Sequence, residues 1–149
     1  MIIITATFTL LDPTTQNEAV KKATPLQQAT RDNEQGCRSY VFSPDPCEND
    51  RVIVFELWED QKSLADHFDH QNYFNMGSMF GEVGLAGAES RKWRVTASEP
   101  VYDDTPKARA DFSPAANSFL RTLSLLPDIS IYMMLRNDRT CFPILFLFN

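Results

Sequence analysis

The chain has 149 residues, of which 43% are hydrophobic and 23% charged, and its formal net charge is −6 at pH 7. That length suits one ordinary domain, and the negative charge argues against a nucleic-acid or anionic-membrane partner, because both are bound through cationic patches. No apolar run reaches the length of a membrane span and no basic leader is present, so the sequence predicts a cytoplasmic protein.

The first two elements are a strand and a helix. Residues 2–10 alternate Ile2, Ile4, Ala6, Phe8 and Leu10 with a second set rich in threonine, which is the period of a strand. Asp12 and Pro13 then provide a cap and a first-turn proline, so a helix is expected from here to Gly36. Pro25 falls inside that helix and predicts a kink or a break.

The middle of the chain predicts a hairpin and a short helix. Residues 37–42 and 51–58 are apolar and β-branched, and the acidic, proline-rich linker between them is typical of a solvated loop. Asp60 can cap the short helix that follows, which is expected to hold both histidines of the chain, His67 and His70, with Leu64 and His67 on one face.

A second helical piece and a fourth strand complete the pattern. Tyr73, Met76, Phe80 and Val83 recur at helical spacing, and residues 91–102 alternate like a strand. The order β-α-β-β-α-β predicts an α+β, ferredoxin-like fold, in which a four-stranded antiparallel sheet carries helices on one face. Because the third strand is apolar on both sides, the other sheet face needs a cover, and a second copy of the chain is the simplest one. The sequence therefore predicts a homodimer.

The predicted domain covers residues 1–104, and residues 105–149 form a C-terminal extension without a clear pattern. Its first part is linker-like, and its last nine residues are nearly all apolar. Such an end is an aggregation liability unless it packs on the domain or on the dimer. The alternative is an aberrant terminus.

Several segments together resemble the antibiotic biosynthesis monooxygenase family. They are RVIVFELWED, then SLADHF, then NY, together with the Gly36-Cys37 pair before RSYVF. The resemblance implies a dimeric α/β barrel with a pocket between the sheet and the helices of each monomer. It also implies a cofactor-independent monooxygenase that combines O2 with a small aromatic, phenolic or quinol substrate. The haem-degrading branch is not expected, because Thr7 and Gly77 stand where that branch has an asparagine and the axial histidine.

His67 is the predicted catalytic residue. Many family members have a histidine, four residues, and then a second histidine before an aromatic residue; here the pair is His67 and Asn72, followed by Tyr73. His67 should border the pocket and act as a hydrogen-bond donor or base toward a phenol, since histidine titrates near neutral pH. The alternative is a capping or core-edge histidine. Asn72 and Tyr73 are expected to orient the substrate, although Tyr73 also fits a core position.

Three other side chains are candidates for substrate binding. Trp58 offers a flat apolar surface for an aromatic ring, or is simply core. Thr5 and Thr7 would line the pocket if their side of the first strand faces the helices; otherwise they bond locally. Glu56 interrupts an apolar strand, where a buried carboxylate would have a raised pKa, and the alternative is an ion pair with Arg38 or Arg94.

No metal or cofactor pattern is present. The three cysteines have no zinc-site spacing and are odd in number, which favours reduced thiols. No dinucleotide or phosphate-binding motif appears. The function that the family resemblance implies is a monooxygenase, which would then have to work without a cofactor; the alternative is a non-catalytic, dimeric ligand-binding or stress-related module of the same fold.

Overall fold

A computed structural model describes residues 1–102, 104 and 106–113. The elements are β1 (Ile2–Leu10), a short 3₁₀ turn (Pro13–Thr15), α1 (Gln16–Asn33), β2 (Cys37–Pro44), β3 (Arg51–Trp58), α2 (Gln61–Phe68), α3 (Gln71–Val83) and β4 (Leu85–Arg94). The chain divides into two compact units after Ser98. None of the helices in the described part of the chain has the length and apolar content needed to cross a membrane.

The four strands form one antiparallel sheet in the order β2-β3-β1-β4, which confirms the ferredoxin-like α+β fold. One face packs against the helices. Its core joins alternate residues of the strands to apolar residues of the three helices: Ile4, Ala6, Leu10, Tyr40, Phe42, Val52, Val54 and Trp58 with Ala19, Ala23, Leu64, Met76 and Phe80. The opposite face is more open, and Ile53 and Phe55 of β3 are partly exposed there.

Helix α1 also covers the open edge of the sheet. The side chain of Gln27 donates to the carbonyl of Phe42 at 3.3 Å and accepts from its backbone N–H at 2.9 Å. Arg31 donates to the carbonyl of Tyr40 through Nε at 2.8 Å. Backbone groups of β2 that have no neighbouring strand are thus satisfied by side chains of the helix.

Of the two alternatives predicted at Pro25, the break is wrong, because α1 runs from Gln16 to Asn33 as a single helix. The predicted bounds of the last strand are also wrong. The fourth strand was expected at residues 91–102 but spans Leu85–Arg94. Gly84, with a φ of 92°, ends α3 and lets the chain enter the strand at once. Residues beyond Arg94 have no strand to pair with, because β1 begins at Ile2.

The capping roles predicted for Asp60 and Asp12 are confirmed. Asp60 Oδ1 accepts a hydrogen bond from the backbone N–H of Ser63 at 2.8 Å, at the start of α2. Asp12 accepts from the N–H of Thr14 at 2.9 Å, but it caps the 3₁₀ turn, and α1 begins only at Gln16.

The described residues of the second unit, which begins at Glu99, form a local turn. Tyr102 and Ala108 make an isolated antiparallel bridge, and the N–H of Arg109 donates to the carbonyl of Val101 at 2.8 Å. The Glu99 carboxylate accepts from the N–H and the hydroxyl of Ser113. Most of the predicted extension, including its apolar end, lies outside the described residues, and the boundary at residue 104 stays a prediction.

Candidate functional site

A cavity of about 530 Å³ lies between the helix-covered face of the sheet and helices α2 and α3. Volumes of this size are typical of sites for small molecules. The wall is mostly apolar, with six aromatic rings and a few polar groups: Ile4, Ala6, Phe8, Tyr40, Phe42, Val54, Glu56, Phe68, Tyr73, Phe74, Met76, Gly77, Ser78 and Ser90. Such a lining favours a small aromatic ligand with one or two polar groups.

Among the described residues that line this wall, Glu56 carries the single carboxylate. It lies in the middle of the sheet, paired with Tyr40 of β2 on one side and with Ile4 of β1 on the other. Only 7% of the residue is exposed. The carboxylate accepts one hydrogen bond among the described residues, from Trp58 Nε1 at 2.9 Å.

The environment of Glu56 favours its protonated form. Burial raises the pKa of this carboxyl to about 7, against a partial lowering by the Trp58 hydrogen bond and a further rise from the Glu34 charge. The ion pair considered as an alternative is not formed, because Arg38 pairs with Glu59 and Arg94 of β4 is separated from β3 by β1. A carboxyl group that exchanges a proton near neutral pH therefore faces the cavity.

Hydroxyl groups complete the polar part of the wall. Burial and the Glu56 charge raise the pKa of the Tyr40 phenol well above its ordinary value, so this group stays neutral and can donate a hydrogen bond. Tyr73, Ser78 and Ser90 carry the other hydroxyls of the wall. The four donors lie on three different elements, β2, α3 and β4, so they can contact different edges of one ligand.

His67 lies behind the cavity wall. It is 1% exposed, and its ring contacts Trp58 at 4.6 Å and Tyr73 at 5.3 Å between centroids. Nδ1 lies 2.6 Å from Oε2 of Glu34, while Nε2 is buried without a hydrogen-bond partner among the described residues. Burial lowers the pKa of His67, against the opposing effect of Glu34. His67 therefore does not lie at the cavity border, where it was expected. Its catalytic role stays a prediction.

Of the expected pair that orients the substrate, only Tyr73 lines the cavity. Asn72 points to the other side, where its Nδ2 donates to Oε1 of Glu34 at 2.9 Å. Trp58 is fully buried in the core and contributes to the site through its hydrogen bond to Glu56.

Thr5 and Thr7 do not line the cavity. Successive side chains of a strand point to opposite faces, and the neighbours of these threonines, Ile4 and Ala6, face the helices. Thr5 lies on the open face, where its hydroxyl accepts a hydrogen bond from Nε1 of Trp93 at 3.0 Å. The threonine side of β1 therefore does not face the helices, which was the condition for Thr5 and Thr7 to contact the substrate.

Several residues of the site were not predicted as site residues, among them the cavity-lining Tyr40. Glu56 was recognised as unusual from its apolar strand but was not placed in the pocket. Phe68 and Phe74 form part of the aromatic wall and could have been inferred from their clustering with Tyr73. Glu34 gave no signal, because its partners lie more than thirty positions away in the chain. In the described part of the chain, no three His, Cys, Asp or Glu side chains are arranged to hold a metal ion.

Comparison with known proteins identifies one family. The family model for antibiotic biosynthesis monooxygenases matches residues 1–76, about half of the chain. Curated protein sequences give no match.

Solved structures share the fold at low sequence identity. A candidate antibiotic biosynthesis monooxygenase from Deinococcus radiodurans is 17% identical, with a TM-score of 0.56 over 69% of this chain and 100% of its own. A second candidate of the same kind, from Caulobacter crescentus CB15, is 22% identical, with a TM-score of 0.57 over 66% of this chain and 90% of its own. Rv0793 from Mycobacterium tuberculosis is 19% identical, with a TM-score of 0.56 over 66% of this chain and 98% of its own.

Proposed function

Since the chain belongs to the antibiotic biosynthesis monooxygenase family, we propose that its cavity binds a small phenolic or quinol-type molecule and oxidises it with O2 without a cofactor. The observation that carries the proposal is Glu56, a buried carboxylate with a pKa of about 7 in the wall of an otherwise mostly apolar cavity. A base with such a pKa is half ionised at neutral pH and is well suited to take a proton from a weakly acidic substrate.

The first step moves one proton and keeps the total charge of the cavity constant. Ionised Glu56 removes a proton from a substrate O–H or activated C–H, which leaves a neutral carboxylic acid and a substrate anion. Burial favours the acid form of Glu56, which makes its carboxylate a stronger base than an exposed one. Tyr40 and Tyr73 can donate hydrogen bonds to the new anion.

The second stage uses the electron-rich anion as the reductant of O2. One electron passes from the anion to O2, the two radicals combine to form a C–O bond, and the proton held by Glu56 completes a hydroperoxide. For a substrate with a CH2 group next to an aromatic ring, loss of water then leaves a carbonyl. The balance is R2CH2 + O2 → R2CO + H2O, in which carbon loses the four electrons that O2 gains.

We propose that the working form is a homodimer in which the open sheet faces of two copies pack together. Three large apolar side chains support this: Ile53, Phe55 and Trp93 are 38%, 37% and 53% exposed on that face. Exposed apolar groups in this arrangement favour a sheet-to-sheet contact. Sedimentation velocity should show a dimer for the natural chain and for the control Leu11→Glu, and a monomer for Phe55→Glu. A monomeric natural chain at micromolar concentration would contradict the proposal.

Oxygen uptake with a panel of quinols and anthrones tests the activity. Glu56→Gln should lower turnover at least about a hundred-fold, because the neutral amide keeps the shape of the side chain but cannot take a proton. Glu82→Gln changes an exposed carboxylate of α3 and should have no effect. His67→Gln tests the alternative base: if this change abolishes turnover while Glu56→Gln does not, the base is His67.

A second candidate function is binding without turnover. It is favoured by one observation, that no Lys or Arg side chain lines the cavity in the described part of the chain, so a substrate anion would have only neutral donors. In that case aromatic ligands raise the melting temperature, and mass spectrometry finds them unchanged after incubation in air. Product formation that depends on Glu56 would exclude it.

A further inference from the structure

A single buried carboxylate ties together the helices behind the cavity wall. Glu34 is the C-cap residue of α1, and its side chain is 5% exposed. Its oxygens contact His67 Nδ1 of α2 at 2.6 Å and Asn72 Nδ2 of α3 at 2.9 Å. Nδ1 of His70, which lies between the two helices, is 3.3 Å from Oε1. These four residues are called the Glu34 cluster below.

Nδ1 of His70 can accept a hydrogen bond or donate one, but it cannot do both at once. Its Nδ1 accepts a hydrogen bond from the backbone N–H of Asn72 at 3.1 Å, and this contact caps the N-terminus of α3. Accepting requires a lone pair on Nδ1, so the proton of the neutral ring is on Nε2. Pairing with Glu34 Oε1 requires a proton on Nδ1 instead. Protonation of His70 therefore removes the cap and creates an ion pair in its place.

The first turn of α3 carries part of the cavity wall. Tyr73 and Phe74 follow the capped residue directly, and the ring of Tyr73 also packs on Phe68 at 5.3 Å between centroids. Loss of an N-cap contact weakens the first helical turn. We propose that the Glu34 cluster couples pH to the aromatic wall of the cavity, with His70 as the residue that switches.

The surroundings allow His70 to switch alone. The ionisable groups facing it are Glu34 from α1 and His67 from α2, with Asp69 as its neighbour in the chain. His67 is buried, whereas 41% of the His70 side chain is exposed and open to exchange with solvent. The proposal concerns access to the cavity and holds whether or not the cavity is catalytic.

NMR can read the switch without any ligand, because the chain has only two histidines. Long-range ¹H–¹⁵N spectra at pH 8 should show the Nδ1–H tautomer for His67, which donates to Glu34, and the Nε2–H tautomer for His70. As the pH falls, the amide signal of Asn72 should shift together with the ring ¹⁵N signals of His70. A His70 ring with its proton on Nδ1 at pH 8 would overturn the proposal.

A binding experiment tests the effect on the cavity. All variants carry Glu56→Gln, so that the titration of Glu56 does not contribute, and the probe is the neutral fluorophore N-phenyl-1-naphthylamine. Between pH 7.5 and 5.5 the affinity should fall by up to about five-fold with His70 present. With His70→Asn it should stay constant, because asparagine caps a helix but does not titrate.

The controls separate this proposal from the proposed function. An equal fall in affinity in the presence and absence of His70 would refute the switch and leave the oxygenase proposal untouched. Circular dichroism at both pH values checks that the variants stay folded. Conversely, absence of oxygen uptake with a His70-dependent change in probe binding would refute the oxygenase and support the switch.

Discussion

Replacing Glu56 by glutamine should stabilise the protein at high pH. The carboxyl has an ordinary pKa of 4.5 and a pKa of about 7 in the fold, because burial penalises its charged form. Each pH unit of such a difference corresponds to about 1.4 kcal/mol. The ionised side chain therefore costs the native state up to about 3 kcal/mol. Glutamine removes this cost and still accepts the hydrogen bond from Trp58 Nε1 through its amide oxygen.

The direction of the pH dependence follows from the raised pKa. Below pH 4.5 the carboxyl is protonated in both the folded and the unfolded chain, so Glu56 carries no electrostatic cost. Between pH 4.5 and about 7 the unfolded chain releases its proton while the folded chain holds it, and stability falls as pH rises. Above that range the full cost is present. The advantage of Glu56→Gln should therefore grow from pH 4.5 to pH 8 by up to about 3 kcal/mol.

Urea unfolding followed by tryptophan fluorescence at pH 4.5 and pH 8 measures this growth. Protein concentration is held constant, because dissociation of an oligomer would add a concentration-dependent contribution. Glu82→Gln, on an exposed face of α3, is the matched control and should change little at either pH. If the difference between Glu56→Gln and the natural chain is the same at both pH values within about 0.5 kcal/mol, the carboxyl is not desolvated and the argument for a base near neutral pH fails.

Two further substitutions test the packing that positions the site, each by urea unfolding. Gln27→Ala should cost about 2 kcal/mol, because it strips a backbone N–H and C=O of the β2 edge of their partner, whereas Gln28→Ala, on the exposed side of α1, should change stability by less than about 0.5 kcal/mol. A small loss for Gln27→Ala would mean that water replaces the side chain. Gly36→Ala should cost more than about 2 kcal/mol, because its φ is 81° and an added Cβ would overlap the Ser63 side chain. Gly81→Ala, with open space around it in α3, should instead stabilise the protein by roughly 0.5–1 kcal/mol, and equal effects of the two changes would contradict the strain at Gly36.

The fold follows from local patterns almost completely. Alternation in β1, the caps at Asp12 and Asp60, and the apolar strands 37–42 and 51–58 were sufficient for the β-α-β-β-α-β order. The error in β4 has a physical cause. Its first half contains small residues of low strand propensity, and it forms a strand because β1 offers it an unpaired edge. A strand that forms because a neighbouring strand is available need not show an alternating pattern in its own sequence.

The site was less predictable, because its chemistry depends on contacts between distant segments. Glu56 was noticed as a carboxylate in an apolar strand, but its pKa depends on burial under α2 and α3. His67 is an inward-facing residue of α2, but it lies behind the cavity wall and not at the predicted border. Its hydrogen bond to Glu34 joins positions that are 33 residues apart, and the same contact turns Nδ1 away from any ligand. A histidine can thus be buried near a cavity and still be occupied by a structural partner.

The threonine face of β1 connects two features of this chain: which face of the sheet the helices cover, and what covers the other face. A strand with polar residues on one side normally places that side in water, but here β3, the neighbour of β1, contributes Ile53 and Phe55 to the same face. Because apolar residues occur on both faces of β3, its pattern does not say which face the helices cover, and Thr5 and Thr7 could be assigned to either. The same pattern is what calls for a second copy, since the face without helices exposes apolar groups to water. A dimer contact through Phe55 would explain why β3 is apolar on both sides and would leave Glu56, on the opposite face, as the carboxylate of the cavity.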